Sequence, residues 1–403
     1  MTGNSTRRAF LGQAAGTAAA AAMMGLSPSA MAQMRGRMAQ AADKKLKLLM
    51  LGGTGFLGPH IVWRALERGH EVTLFNRGQT GPDMFPDLEH MQGDRYSDLA
   101  SLESAVAEGR KWDSAIDTFA YVPSVVTDMM KVISGSVDHY ALISTVSVYA
   151  SSDEAGADET AQLAEVTDEV AAGITTHREV GMHYGAMKAR CEQAAEAGMP
   201  GKVANIRPGL IVGPRDTTGR FTYWPVRASE GGTMIGPGTP MDPTQIIDVR
   251  DLADFIVLSI EKNLAGEYNA ISPAGHYTIG DIVNASVKVA DAGTEVEWVE
   301  SEFLTGRGIQ PWQQLPCWVP TTMEGYSGFG MTDCSKATKA GMTIRPLEET
   351  VRATLEYYNT RGPELAAERG EEFHTQWKQR VRGGLDPEIE RQTLEAWRTR
   401  GQG

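Results

Sequence analysis

The feature that most constrains this chain is the glycine-rich loop Gly52-Gly53-Thr54-Gly55-Phe56-Leu57-Gly58, which follows the apolar run Leu46–Leu51 and opens an amphipathic stretch, Phe56–Arg68. Strand, tight turn and helix in that order predict a dinucleotide-binding unit. Gly52 permits the turn, Gly55 lets backbone N–H groups approach a pyrophosphate, and Gly58 lets helix and strand pack closely. Phe56 and Leu57 lie at the helix N-terminus, whose free N–H groups attract an anion. Gly52, Gly55, Phe56, Leu57 and Gly58 are thus the expected phosphate-side contacts.

The pattern then repeats. Short apolar runs at Glu71–Phe75, Leu88–Gln92, Trp112–Thr118, Tyr140–Ser144 and Lys202–Ile206 alternate with helical stretches at Leu99–Glu108, Val122–Ser134 and His183–Ala197. That alternation predicts an α/β fold of the Rossmann type, a doubly wound parallel sheet. The polar, acidic segment Ser151–Val180 reads as an excursion over the mouth of the sheet. Beyond Pro208 the strand and helix pieces no longer alternate cleanly, so residues 46–207 are expected to form the dinucleotide domain and 208–403 a smaller α/β substrate domain ending in charged helices at Leu347–Tyr358 and Glu364–Arg400.

Three further positions bear on the chemistry. After the second strand, where an acid would hold the ribose hydroxyls of NAD, the chain has Phe75-Asn76-Arg77-Gly78. A guanidinium without an acid suits the additional phosphate of NADP; the alternative is that Arg77 stacks on the adenine, which leaves NAD open. Asp94 is the candidate acceptor for the adenine amino group. Tyr184 and Lys188, four apart on a predicted helix, share one face. A tyrosine titrating near 10 needs a shift of about 3 units to work near neutrality, which an adjacent ammonium and an oxidised nicotinamide ring supply. Thr145, at the end of a strand running into hydroxyl residues, is placed to hydrogen-bond the substrate oxygen.

With these residues in order, the chain resembles the extended short-chain dehydrogenase/reductases, the NAD-dependent epimerase/dehydratase family, over nearly all of Leu46–Tyr358. The glycine loop, Thr145, Tyr184 with Lys188, Arg207-Pro208-Gly209 with Gly213-Pro214, and Ile247-Asp248-Val249-Arg250-Asp251 all carry the likeness. The resemblance implies Thr145, Tyr184 and Lys188 as the catalytic set, Lys188 also holding the nicotinamide ribose, and Pro208 in a stretch beside the nicotinamide. The run Asp117-Thr118-Phe119-Ala120-Tyr121-Val122-Pro123 departs from the sugar-nucleotide epimerases and looks like a branch that includes chloroplast stem-loop RNA-binding proteins. In the second half, Arg215, Arg220, Arg227 and Arg250 are candidates to pair with a substrate phosphate or carboxylate, and Trp224, Trp312 and Trp318 to stack on a sugar ring.

The first residues read as an address. Ser5-Thr6-Arg7-Arg8-Ala9-Phe10-Leu11, an alanine-rich run and Ala30-Met31-Ala32 have the order of a twin-arginine signal, expected at 1–32 with a flexible leader at 33–45. The apolar stretch is too short and too alanine-rich for a stable membrane anchor. A periplasmic or exported protein that engages the twin-arginine machinery is therefore expected. The net charge of −13 argues against nucleic acid as partner, scattered histidines and three cysteines predict no metal site, and the family likeness points to a homodimer and a small-molecule substrate. Because free NADP is scarce outside the cytoplasm, an enzyme that returns its hydride within each cycle and keeps its cofactor is the favoured reading. A net NADP-dependent dehydrogenase or reductase, and a non-catalytic nucleotide- or RNA-binding relative, are the alternatives.

Overall fold

The computed structural model describes residues 42–400. The signal at 1–32 and the leader as far as residue 41 lie outside the described residues. Where description begins, the leader's last residues are tied to the body: Ala42 N–H donates to the Arg68 carbonyl, Lys44 pairs with Asp113 at 2.9 Å, and Lys45 with Glu71 at 2.7 Å.

Seven parallel strands form the central sheet: β1 (Lys47–Leu51), β2 (Glu71–Asn76), β3 (Glu89–Gln92), β4 (Trp112–Asp117), β5 (Val137–Ile143), β6 (Val203–Pro208) and β7 (Gly266–Ala270), in the order β7-β6-β5-β4-β1-β2-β3. The inner strands are buried on both faces, which is why they read as apolar runs rather than alternating ones. Five helices cover them. Helix α1 (Leu57–Glu67) and α5 (Val249–Glu261) lie on one face with Leu48, Met50 and Ile206; α2 (Ala100–Ala107), α3 (Pro123–Ile133) and α4 (Tyr184–Gly198) lie on the other with Leu49, Leu51 and Leu142. Leu51 is in register with Phe75 of β2 and Asp117 of β4, so three strand ends reach one edge beside the glycine loop. Strand order reverses there, and open α/β sheets bind ligands at such a crevice.

The expected boundary at 207/208 does not coincide with the sheet. After the short strand Leu210–Val212 the chain builds part of the second unit, then returns through α5 to add β7 beside β6, Gly266 matching Ala204. Helix α5 carries the apolar stripe Leu252, Phe255, Ile256 and Ile260 that the first face requires. The second unit packs around Phe221, Trp224, Ile282, Leu304, Trp318 and Trp397 and contains the parallel pair Thr233–Pro237 with Glu295–Val299. A charge cluster joins the units: Arg250 pairs with Asp248 at 2.6 Å and Arg345 with Asp251 at 2.8 Å. The charged helices expected over Glu364–Arg400 lie at 362–367, 371–382 and 387–399, interrupted at Gly370 and Gly383, both with positive φ. Among the described residues no helix is long and apolar enough to cross a membrane.

Candidate active site

A cavity of about 790 Å³ runs along the strand ends from the glycine loop to the start of α4, within the usual range for a ligand site. Gly52, Gly55, Phe56, Leu57, Gly58, Arg77, Asp94, Tyr184 and Lys188 all line it. Pro208 does not; it is buried at the end of β6, and Ile211 reaches the cavity from that stretch instead.

The loop has the shape of a phosphate cradle. Gly52 sits at φ +115°, and a Cβ there would stand 2.7 Å from Thr118 Oγ1; a Cβ on Gly58 would stand 2.7 Å from the backbone of Gly53, so α1 packs on the loop only with glycine at that place. A Cβ on Gly55 would meet nothing within 4 Å, because that residue faces open space at the helix N-terminus. Asn76 fixes the loop from β2, its amide donating to the Gly52 carbonyl at 2.7 Å and its side-chain oxygen accepting from Gly78 N–H at 2.8 Å. That side chain is thus occupied where an acid would face the ribose. Arg77 is exposed on the rim, and Arg178, from the segment between β5 and α4, lines the same cavity. Neither guanidinium has a carboxylate partner among the described residues. Asp94 turns one carboxylate oxygen back to accept from Tyr96 N–H at 2.9 Å. The Ser144 hydroxyl, on the cavity wall, is buried with no protein partner. An open cradle, an unpartnered hydroxyl and two free guanidinium groups fit a phosphorylated dinucleotide.

At the other end, helix α4 begins at Tyr184. It approaches the turn after β5 so closely that a Cβ on Gly185 would lie 2.0 Å from the Ser147 carbonyl oxygen. This contact seats Tyr184 near Thr145, whose hydroxyl donates to Ser147 Oγ at 3.2 Å and accepts from the Ser147 N–H at 3.1 Å. Burial pushes the phenol up to about 12, reinforced by Tyr121 and opposed by the Thr145 hydroxyl. Lys188 is 3% exposed and donates to the carbonyls of Ala120 at 2.6 Å and Ile143 at 2.5 Å; burial lowers its pKa. The ammonium is therefore anchored to backbone rather than turned on the phenol, which corrects the expectation that it brings Tyr184 down.

Several side chains at the site carried no sequence signal. The Tyr121 ring centroid lies 6.0 Å from that of Tyr184 and 5.2 Å from the Lys188 ammonium, in contact range of both. Beneath the cavity, Arg95 forks onto Asp117 with two 2.6 Å hydrogen bonds, and Tyr140 donates to the same carboxylate at 2.6 Å. Burial alone would raise the Asp117 carboxyl; Arg95, Tyr140 and the Phe119 N–H outweigh it and hold it below the usual range. The excursion over the mouth closes with Thr176, His177 and Arg178 on the cavity wall, His177 packing against Phe119 at 4.9 Å. Of the second-half candidates, Arg227 pairs with Glu390 and Arg250 with Asp248, while Trp224 and Trp318 are wholly buried and donate to the Pro316 carbonyl and to Asp242. Those four are structural. Arg220, stacked 5.9 Å from the half-buried Trp312, and Arg215 make no ion pair among the described residues.

The family model for the NAD dependent epimerase/dehydratase family matches residues 48–280, more than half of the chain. The chloroplast stem-loop binding protein of 41 kDa b of Arabidopsis thaliana is 25% identical over 293 residues, 65% of this chain and 71% of that protein. The ketoreductase azaE of Aspergillus niger is 26% identical over 345 residues, covering 76% and 95% of the two chains. Among solved structures, the Bordetella bronchiseptica enzyme WbmH in complex with NAD+ superposes with a TM-score of 0.58 at 17% identity, covering 79% of this chain and all of that one. The UDP-Glc/GlcNAc 4-epimerase of Campylobacter jejuni gives 0.57 at 15% identity, covering 77% and 98%. These two share the fold.

Proposed function

The chain belongs to the NAD-dependent epimerase/dehydratase family, an NAD(P)-dependent enzyme of that type, and from this premise we propose that it oxidises a hydroxyl-bearing, sugar-like substrate and returns the hydride within one cycle while keeping NADP bound. The observation that carries the reading is Tyr184 at the far end of one cavity from the glycine cradle, with the Lys188 ammonium fixed nearby and Thr145 buried behind the cavity wall rather than on it. Bound NADP supplies the hydride acceptor and donor and, when oxidised, a positively charged ring.

Tyr184 holds the oxygen of the reacting carbon, with Thr145 behind it. With its phenol at about 12, Tyr184 is protonated at neutral pH and is poised to give a proton to a carbonyl oxygen. Removing a hydroxyl proton in the opposite direction requires the phenolate, which a nearby positive charge stabilises. Lys188 stays where it is, orienting groups through its fixed ammonium. Tyr121 and His177 close the wall between the reacting end and the rim and exclude water. Arg77 and Arg178 support the preference for NADP.

The order of residues 1–32 supports export by the twin-arginine machinery and a periplasmic location, in which a retained, self-regenerating cofactor is an advantage. The family likeness supports a homodimer paired through α3 and α4, which lie side by side on one face of the sheet; the mass of the protein in solution tests it. A sugar-like substrate is supported by the likeness to the UDP-Glc/GlcNAc 4-epimerase of Campylobacter jejuni. The reading is tested by mixing nucleotide-loaded protein with a panel of free and nucleotide-linked hexoses and following reduced nicotinamide together with product stereochemistry. Internal cycling gives isomerised or dehydrated product with no net reduced cofactor. Steady accumulation of reduced cofactor identifies a net dehydrogenase instead.

A further inference from the structure

Near the end of the excursion between β5 and α4, the turn from Thr175 to Glu179 is built as a unit. The Glu179 carboxylate accepts from the N–H groups of Thr175 and Thr176 at 2.8 and 3.0 Å and from the Thr175 hydroxyl at 3.1 Å, and the Glu179 N–H donates back to the Thr176 carbonyl at 3.1 Å. Hydrogen bonds onto a carboxylate are among the stronger ones, so one side chain ties the five residues together. The unit is also fixed at both ends. Ile174 before it and Val180 after it are buried in a small apolar cluster with Val122, Val125 of α3 and Met187 of α4, against the rings of Tyr96, Tyr121 and Tyr184. Further back, Arg190 of α4 holds the excursion through Asp168 at 2.7 Å and the Val166 carbonyl at 2.5 Å.

The apex lies on the dinucleotide cavity. Thr176, His177 and Arg178 line it, whereas Glu179, which ties the turn, does not. The His177 ring rests on rings from two strand ends: Phe119 and Tyr121 after β4, at centroid distances of 4.9 and 6.1 Å, and Tyr96 after β3, at 6.3 Å. Those three rings and the glycine loop line the same cavity. The turn thus spans the mouth across the strand ends where a dinucleotide lies. Aromatic contacts of this kind are individually weak, so the apex lifts more readily than its two buried ends.

We infer that the turn Thr175–Glu179 is a latch over the bound dinucleotide, and that nucleotide enters and leaves when its apex, carrying His177 and Arg178, lifts from Phe119, Tyr121 and Tyr96. Loops that close over a ligand commonly set the rates of entry and release. A latch slows release by raising the barrier rather than by adding contacts, which deepens the proposed retention of the cofactor. It rests on dinucleotide binding in this cavity and not on return of the hydride.

Two variants test it. Glu179→Ala removes the acceptor of three hydrogen bonds without altering the cavity wall, and His177→Ala removes the ring that holds the apex down. Nucleotide-free protein is mixed with NADPH in a stopped-flow fluorimeter, and bound NADPH is then displaced by excess NADP. No substrate is present, so the outcome is independent of the reaction. In wild type the association rate levels off with rising NADPH at the rate of opening. Each variant is expected to raise association and release together, by about tenfold for the loss of about one net hydrogen bond's worth of closure, so that Kd changes far less than either rate. Faster release with unchanged association would make the turn a contact surface and not a gate. That result, or rates equal to wild type in either variant, overturns the latch.

Discussion

Replacing Arg77 by leucine separates NADP from NAD. Arg77 is exposed at the end of β2, where Asn76 is occupied by the glycine loop, and it has no carboxylate to leave when a ligand phosphate arrives. A hydrogen bond to a charged group is worth roughly 1.5–3 kcal/mol; solvent around an exposed guanidinium favours the lower end. About 1.5 kcal/mol corresponds to roughly tenfold in Kd. Arg178 on the same wall shares the phosphate, so Arg77→Leu with Arg178→Leu is expected to reach roughly a hundredfold if each contributes that amount. The assay is equilibrium titration of nucleotide-free protein with each dinucleotide, read by quenching of intrinsic fluorescence. NADP affinity falls by these factors while NAD affinity changes less than about twofold. Equal losses for both dinucleotides would mean that Arg77 stacks on the adenine, and the phosphate argument would fail.

Other substitutions probe the reacting end and the fold. Tyr184→Phe lowers turnover by roughly 100- to 10,000-fold, the worth of a positioned acid or base, with nucleotide binding retained; undiminished turnover would remove Tyr184 from the catalytic set. Gly185→Ala drives a Cβ into the Ser147 carbonyl, costs about 1–3 kcal/mol in urea unfolding and lowers turnover by separating Tyr184 from Thr145; a stable, fully active variant contradicts the close approach. Glu261, which accepts from Arg68 and His70 at 2.8 and 2.9 Å, is held down to about 2: burial opposes this, and those hydrogen bonds outweigh it. A depressed carboxylate contributes stability that is present above its ordinary pKa of 4.5 and lost as pH falls toward 2. Wild type should therefore melt above Glu261→Gln near pH 7, with the gap closing in acid; a gap that is constant with pH refutes the assignment.

How far the sequence reached is seen in particular elements. Helices α1 to α4 begin and end within about one residue of their expected limits, because each carries a stripe facing a continuous apolar sheet and ends where the pattern breaks. Strand β5 starts at Val137, three residues before the expected Tyr140; the exposed Asp138 and buried polar His139 hid its first turns. Strand β7 was illegible for another reason: its short GEYNA run is polar, and only pairing with β6, far back in the chain, makes it a strand. At the site, the glycine cradle, Tyr184 and Lys188 were readable because their chemistry depends on local spacing. Tyr121, His177 and Arg178 reach the cavity from loops whose path no periodicity encodes. Gly185 carried a faint signal, a glycine just inside a helix, whose meaning is the Ser147 carbonyl opposite it.

The most direct test of the account is the nucleotide content of the protein purified from its producing cells without added cofactor, then denatured, with released dinucleotide identified and quantified by mass spectrometry. A retained, internally regenerated cofactor predicts NADP close to one equivalent per chain. Protein that is correctly folded, binds added NADP reversibly and carries none from the cell would contradict it.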